Sequence, residues 1–212
     1  ISLNQANTFS SAVTFTPLSG TITNVTINDS NAFDLKALTT TGDLTVTAGG
    51  AVTDSGTLVI PGTTTISASG QAVTLDDSSN DFGTATITGA NVAVTDEDAI
   101  DLGASTVTGN YEVTATAGGG ITDSGVLNIT GTSTFTAAGG QSIILDESST
   151  FTSAVTFASG GTLVGVSITD STDFDLQALT ITGNLAVESG GSITQSGSLA
   201  VGGTGLVQNN AL

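Results

Sequence analysis

One stretch constrains the fold more than any other: residues 34–56, DLKALTTTGDLTVTAGGAVTDSG, are written three times. They return as DLGASTVTGNYEVTATAGGGITDSG at 101–125 and as DLQALTITGNLAVESGGSITQSG at 175–197. Self-similarity this faithful marks a module whose copies pack on one another, because one copy cannot bury its own apolar face. The flanking sequence keeps the same period. Residues 1–15, ISLNQANTFSSAVTF, match 143–157, IILDESSTFTSAVTF, at an offset of 142, and 73–87, VTLDDSSNDFGTATI, form a looser copy with one extra residue before Phe82. Three long repeats result, 1–71, 72–141 and 142–212, and the first and third resemble each other more than either resembles the second.

Inside each repeat apolar and polar residues alternate, as at Leu44 and Val46 against Asp43, Thr45 and Thr47, or Tyr111, Val113 and Ala115 against Glu112, Thr114 and Thr116. Period-two alternation over four to six residues predicts short strands with one buried face, and no helical spacing is sustained. Glycines close the apolar-Thr runs at Gly42, Gly62, Gly89, Gly109, Gly131, Gly183 and Gly203. Their average step predicts units of about 23 residues, three per long repeat, each one coil of a parallel β-solenoid. The expectation is an all-β single domain of about nine coils, with the Gly-Gly and Ser-Gly pairs as corners where positive φ is cheap. Phe9, Phe82 and Phe151 hold equivalent repeat positions, as do Phe33, Ile100 and Phe174, and both sets are predicted to point inward.

Composition narrows the function classes. One cation, Lys36, stands against 19 acidic side chains, for a net charge of -18. Nothing is available to neutralise phosphates, which excludes nucleic acid as a partner and disfavours an anionic lipid surface. An apolar fraction of 38% argues against disorder. No run approaches the roughly 20 apolar residues of a membrane helix, so membrane insertion by a helix is not expected. Cysteine is absent, so neither a disulfide framework nor a thiolate metal site is available. The chain opens in mid-pattern at Ile1, as an excerpt or processed piece of a longer protein would.

The acidic turns are the most conspicuous polar feature. Asp96, Asp98 and Asp101, and their counterparts Asp170, Asp173 and Asp175, would approach one another on successive coils, and calcium could relieve the repulsion. Solvated turns that keep a fibre soluble are the plainer reading. Neither an EF-hand loop nor a nonapeptide calcium loop is present, and no cofactor other than calcium is suggested. Paired aspartates on a β-helix also fit carbohydrate cleavage by carboxylate acid and base, but the carboxylates recur with the repeat instead of clustering once. Thr-x-Thr triplets at 45–47, 84–86, 106–108 and 114–116 could form an ice-binding face or be ordinary exposed strand residues. Asn24-Val25-Thr26 and Asn128-Ile129-Thr130 fit the glycosylation sequon, as chance triplets in Thr-rich strands also would. Gly49-Gly50 and Gly118-Gly119-Gly120 lack the Lys and the helix of a nucleotide loop.

Residues 43–63, DLTVTAGGAVTDSGTLVIPGT, and 184–204, NLAVESGGSITQSGSLAVGGT, resemble the repeats of filamentous-haemagglutinin-type exoproteins, bacterial surface adhesins often exported by two-partner secretion. The resemblance covers nearly the whole chain. It implies a right-handed parallel β-helix, secretion to the cell surface, and a structural or adhesive role. The expected function is therefore a non-enzymatic shaft or filament subunit, stacked end to end on more chain or on another copy, with host or cell-surface glycans as possible ligands. The rival is a carbohydrate-binding or carbohydrate-cleaving β-helix.

Overall fold

The computed structural model describes residues 1–210. Among these every strand pairing is parallel and no helix occurs, so the chain winds as a β-solenoid. One sheet runs from end to end. Its path visits eleven strands, from Ser2–Asn7 through Val25–Asp29, Leu44–Ala48, Leu58–Ser67, Asp81–Gly89, Ile100–Leu102, Ile121–Asp123, Ile143–Phe151, Val166–Asp170 and Leu185–Ser189 to Gly205–Asn209. A second sheet of seven strands runs from Phe33–Leu35 to Val155–Ser159 along the middle of the solenoid. The alternation sorts side chains as expected. Val25, Leu44 and Ile27, Val46, Ile66, Ile87 stack inward in register and are buried, while Thr26, Thr45, Thr65 and Thr86 stack outward. Each rung leaves its aliphatic residues on the next, so the core is a continuous column.

The coil is shorter than the glycine spacing suggests. From the strand beginning at Val25 to its copy beginning at Val166 are 141 residues, and the long sheet crosses that interval in seven steps, about 20 residues per coil. The solenoid thus makes about ten turns where nine of about 23 residues were expected. The difference has a geometric cause. Seven coils in two repeats give each repeat three and a half coils, so equivalent strands of successive repeats fall on different sheets. Val25–Asp29 lies in the long sheet, its copy Val92–Asp96 in the second sheet, and its copy Val166–Asp170 in the long sheet again. A sequence marker counts three units per repeat and misses the half coil at each junction.

The aromatic expectations hold with one exception. Phe82, Phe151, Phe33, Ile100 and Phe174 are buried, whereas Phe9, in the first coil, is only partly covered against Phe33. Tyr111, Phe135 and Phe151 form successive edge-to-face contacts at 5.9 and 6.1 Å. The corner glycines serve the expected purpose at four Ser-Gly and Gly-Gly corners and a different one at the rest. Among the described residues positive φ occurs only at Gly20, Gly70, Gly118 and Gly140. Elsewhere the demand is close approach: a β-carbon at Gly50 would lie 2.5 Å from the Ala32 amide nitrogen, one coil below.

Candidate functional site: carboxylate latches and a pair of clefts

The repeated module closes on itself. Asp34 opens it, and the Thr53 and Ser55 hydroxyls at its far end donate to Asp34 Oδ1 and Oδ2 at 3.5 and 2.8 Å. Asp101 receives Thr122 and Ser124 in the same way, at 3.4 and 2.5 Å, and Asp175 receives Thr194 and Ser196, at 2.8 and 2.5 Å. The final glycine completes the fit. A β-carbon at Gly56 would sit 2.6 Å from the Ala37 amide nitrogen, and at Gly125 and Gly197 closer still to Ala104 and Ala178. The D-L-x-A start of the module is thus the seat for its own T-x-S-G end, one turn later. Lys36 joins the first copy, 3.1 Å from Asp34 Oδ2. Desolvation at Asp34 is outweighed by the Ser55 hydroxyl and the Lys36 ammonium, which hold the carboxyl below its ordinary range.

A second set of carboxylates is buried. Asp29 accepts the Phe9 and Asn31 amides, both at 2.9 Å. Asp96 accepts the Phe82 and Asp98 amides at 2.7 and 2.8 Å. Asp170 accepts the Thr172 amide and hydroxyl at 2.8 and 2.9 Å, and the Phe151 amide also favours its charge, although its Oδ2 is buried without a hydrogen bond. Asp29 thus ties its strand to Phe9 and Asp96 ties its strand to Phe82. Asp54 and Asp123 form a further pair. Asp54 receives the Asp76 and Asp77 amides and the Asn80 carboxamide, and Asp123 Oδ1 receives the Asp146 and Glu147 amides, leaving Oδ2 buried without a partner. Burial pushes the Asp96 and Asp123 carboxyls up to about 6 and raises that of Asp170, against the lowering effect of the amides.

The six aspartates read as a calcium set are distributed between these roles. Asp96 and Asp170 are interior latches, not exposed turns; Asp101 and Asp175 hold hydroxyls of the next coil; Asp98 accepts the Ala99 amide and Asp173 the Ser192 amide. Among the described residues no three acidic side chains stand close enough to share a cation. Asn24, in one sequon, is engaged as an acceptor for the Asp43 amide at 2.7 Å, while Asn128 lies exposed in Leu127–Ile129. The outward Thr file that begins at Thr26 reaches Thr86, beyond which Gly103 occupies the next coil, with its Cα facing the Thr86 hydroxyl.

Two surface clefts occupy equivalent places in the first and third repeats. One, of about 290 Å³, lies between residues 9–12 and the strand Phe33–Leu35, with Asp34 and Thr53 at its wall. The other, of about 280 Å³, lies between residues 151–155 and Phe174–Leu176, with Asp173, Asp175 and Gln177. In the middle repeat the same place is closed. There Thr84 and Ala85 pair in register with Asp101 and Leu102, and the Thr84 hydroxyl donates to Asp101 at 3.0 Å. The half-coil offset puts the two open clefts on the same side, seven rungs or roughly 33 Å apart.

With this geometry in place, three consecutive matches to a single family profile, described as repeats of unknown function (DUF5649), fall at residues 22–88, 89–158 and 164–211. The chain belongs to that family. Each DUF5649 unit begins a few residues before Val25, Val92 or Val166, the strands that change sheets from repeat to repeat. No curated protein and no solved structure matches the chain.

The latches of the DUF5649 repeats carried a legible signal that the charge pattern hid. In VTIND, VAVTD and VSITD the final Asp falls two residues after an inward aliphatic, so parity places it inside; ITD at 121–123 obeys the same count.

Proposed function

We propose that this chain is a non-enzymatic structural segment, a rigid β-solenoid shaft or spacer of an extracellular bacterial surface protein. The observation that carries the reading is the unbroken parallel ladder, whose polar groups are spent rung by rung on the next coil instead of converging on one place. The likeness to haemagglutinin-type repeats supports a cell-surface, adhesive setting. Ten rungs at about 4.8 Å give a rod on the order of 50 Å long. Antibodies raised against the folded chain should label intact source cells, and small-angle scattering should return a rod of that length. Labelling only after permeabilisation, or scattering from a compact sphere, would remove the proposal.

A second reading has the paired clefts in its favour: each is hydroxyl-lined, acidic and of a size for one sugar ring, so the shaft could present two equivalent sites to neutral cell-surface glycans. Titration of a neutral oligosaccharide panel should give binding that Ser11→Trp together with Ser153→Trp, which fill both clefts, abolishes. Binding untouched by those changes, or none at all, counts against the clefts.

A further inference from the structure

We propose that the outer face of the long sheet, over the four strands Val25–Asp29, Leu44–Ala48, Leu58–Ser67 and Asp81–Gly89, binds ice. This face lies outside both clefts, and its activity depends neither on them nor on the shaft reading. Each strand turns two residues outward, and the pairing sets them in two straight files. Thr26, Thr45, Thr65 and Thr86 form one, and Asn28, Thr47, Ser67 and Thr88 form the other, with no register shift among the four rungs. Successive members of a file stand about 4.8 Å apart, and the two files, two residues apart along each strand, about 6.7 Å apart. The result is a plane of seven hydroxyls and one carboxamide that repeats in two directions. Thr-Val-Thr at 45–47 is joined by Thr-Ile-Asn at 26–28, Thr-Ile-Ser at 65–67 and Thr-Ile-Thr at 86–88, so stacking assembles what a search for single triplets divides.

Two properties of this plane identify its ligand. Its hydroxyls are unspent: among the described residues Thr26, Thr45, Thr47, Thr65, Ser67, Thr86 and Thr88 make no side-chain hydrogen bond, whereas Thr53, Ser55, Thr122 and Ser124 all donate to a carboxylate of the preceding coil. Charge is also kept off it. None of the 19 acidic residues stands in the array, and Asp43 at its margin is turned to the corner, where it accepts the Thr63 amide at 2.9 Å. Other faces lack this character. The outward file of the second sheet runs Thr53, Thr74, Ala93, Glu112, and the long sheet in the third repeat presents Ile144, Ser167 and Ala186. A ligand for the plane must be uncharged, flat, hydrogen-bonding at every point and periodic at the rung spacing. The water oxygens of an ice prism face meet all four conditions, with two repeat distances close to those of the array. Threonine is stiff at χ1, so hydroxyls and methyls hold their places without a further ordering cost. One such contact gains little over liquid water, but the array makes its contacts together and in step with the lattice. A crystalline polysaccharide is also flat and neutral, yet the plane carries no aromatic ring on which a sugar could stack.

Ice grown slowly from a dilute solution of the chain tests the proposal. The parent should facet the crystals and be carried into the solid, where an inert protein stays in the liquid. Thr65→Lys, which plants a long cation at the centre of the array, should abolish both effects. Thr47→Lys, at a more exposed position of the same array, should do the same and repeats the test if the first variant fails to fold. Thr134→Lys adds the same charge to an outward strand position of the second sheet and should leave both effects intact. Exclusion of the parent from ice, incorporation unchanged in Thr65→Lys and Thr47→Lys, or an equal loss in Thr134→Lys would each overturn the assignment. Retention on microcrystalline cellulose that Thr65→Lys removes, without incorporation into ice, would overturn it in favour of a polysaccharide.

Discussion

Lowering the pH from 7.5 to about 4.5 is expected to raise the melting temperature of this solenoid by about 10 °C, opposite to the acid sensitivity of most folds. The cause is the set of interior aspartates. Desolvation lifts Asp96 and Asp123 from 3.8 to about 6, with Asp98 and Asp81 beside the first and Asp146 and Glu147 beside the second adding repulsion. The folded chain then binds those protons more tightly than the unfolded chain. Stability is gained as pH falls through the folded value, and the gain is complete below the unfolded value; it is lost again as pH rises. A shift of that size is at most about 3 kcal/mol at each site, less what solvent screening removes, and about two thirds of it is gained between pH 7.5 and 4.5. Asp170 shifts in the same direction. Asp34 works the other way: its carboxyl is held low, so its contribution disappears at pH below its ordinary range and sets the acid limit. Asp123→Asn isolates one component, since Oδ1 keeps the two amides while the unpartnered Oδ2 loses its charge. Calorimetry should find this variant several degrees more stable at pH 7.5, with the gap narrowing as pH falls through about 6 and closing only below 3.8. A melting temperature that falls steadily from pH 7.5 to 4.5 in the parent would mean that the latches are not the governing charges.

The same residues show where sequence reading works and where it stops. Alternation at Leu44, Val46, Tyr111 and Val113 specifies strands because a parallel coil buries every second side chain, and the three module copies specify stacking because their ends must meet. What alternation cannot report is which sheet a strand joins. Gly42, Gly109 and Gly183 precede equivalent strands, yet the strands they precede lie in the long, second and long sheets in turn. The half coil that separates them is a property of the closed path, spread over corners of variable length, and no residue type marks it. Charge misled for a simpler reason. Asp96-Glu97-Asp98 reads as a solvated run, but only Glu97 and Asp98 face out; Asp96 is held inside by the amide of Phe82, 14 residues back along the chain, as well as by that of Asp98 beside it. The clefts were equally hidden, because Ser11 and Thr152 look no different from Thr84, and only pairing with the next coil decides whether the groove opens or closes.

Gly119→Ala is expected to be among the most damaging single-methyl changes the chain can undergo, and two other glycines show why the cause is rung spacing. A β-carbon at Gly119 would overlap the Asp98 carbonyl and crowd the Ala99 amide nitrogen at 2.6 Å. Both are backbone atoms of the coil below, held by the parallel ladder, so no side chain can swing aside. The two coils would have to part at the corner beside Asp96, where the Thr116 and Ala117 amides donate to the Asp96 and Glu97 carbonyls at 2.9 and 2.6 Å. Loss of those bonds and exposure of the latch should cost more than about 3 kcal/mol, by the combined weight of steric strain and buried groups left unpaired. Gly70→Ala meets nothing within 4 Å but sits at φ +72°, so its cost is backbone strain alone, about 1 kcal/mol. Gly160→Ala has neither a positive φ nor a neighbour within 4 Å and should be neutral. Denaturant midpoints should therefore rank the three as Gly160, Gly70 and Gly119 in order of rising loss. Equal losses at Gly70 and Gly119 would show that the coils yield at their corners, and the close rung contact would then no longer explain why the repeats keep glycine there.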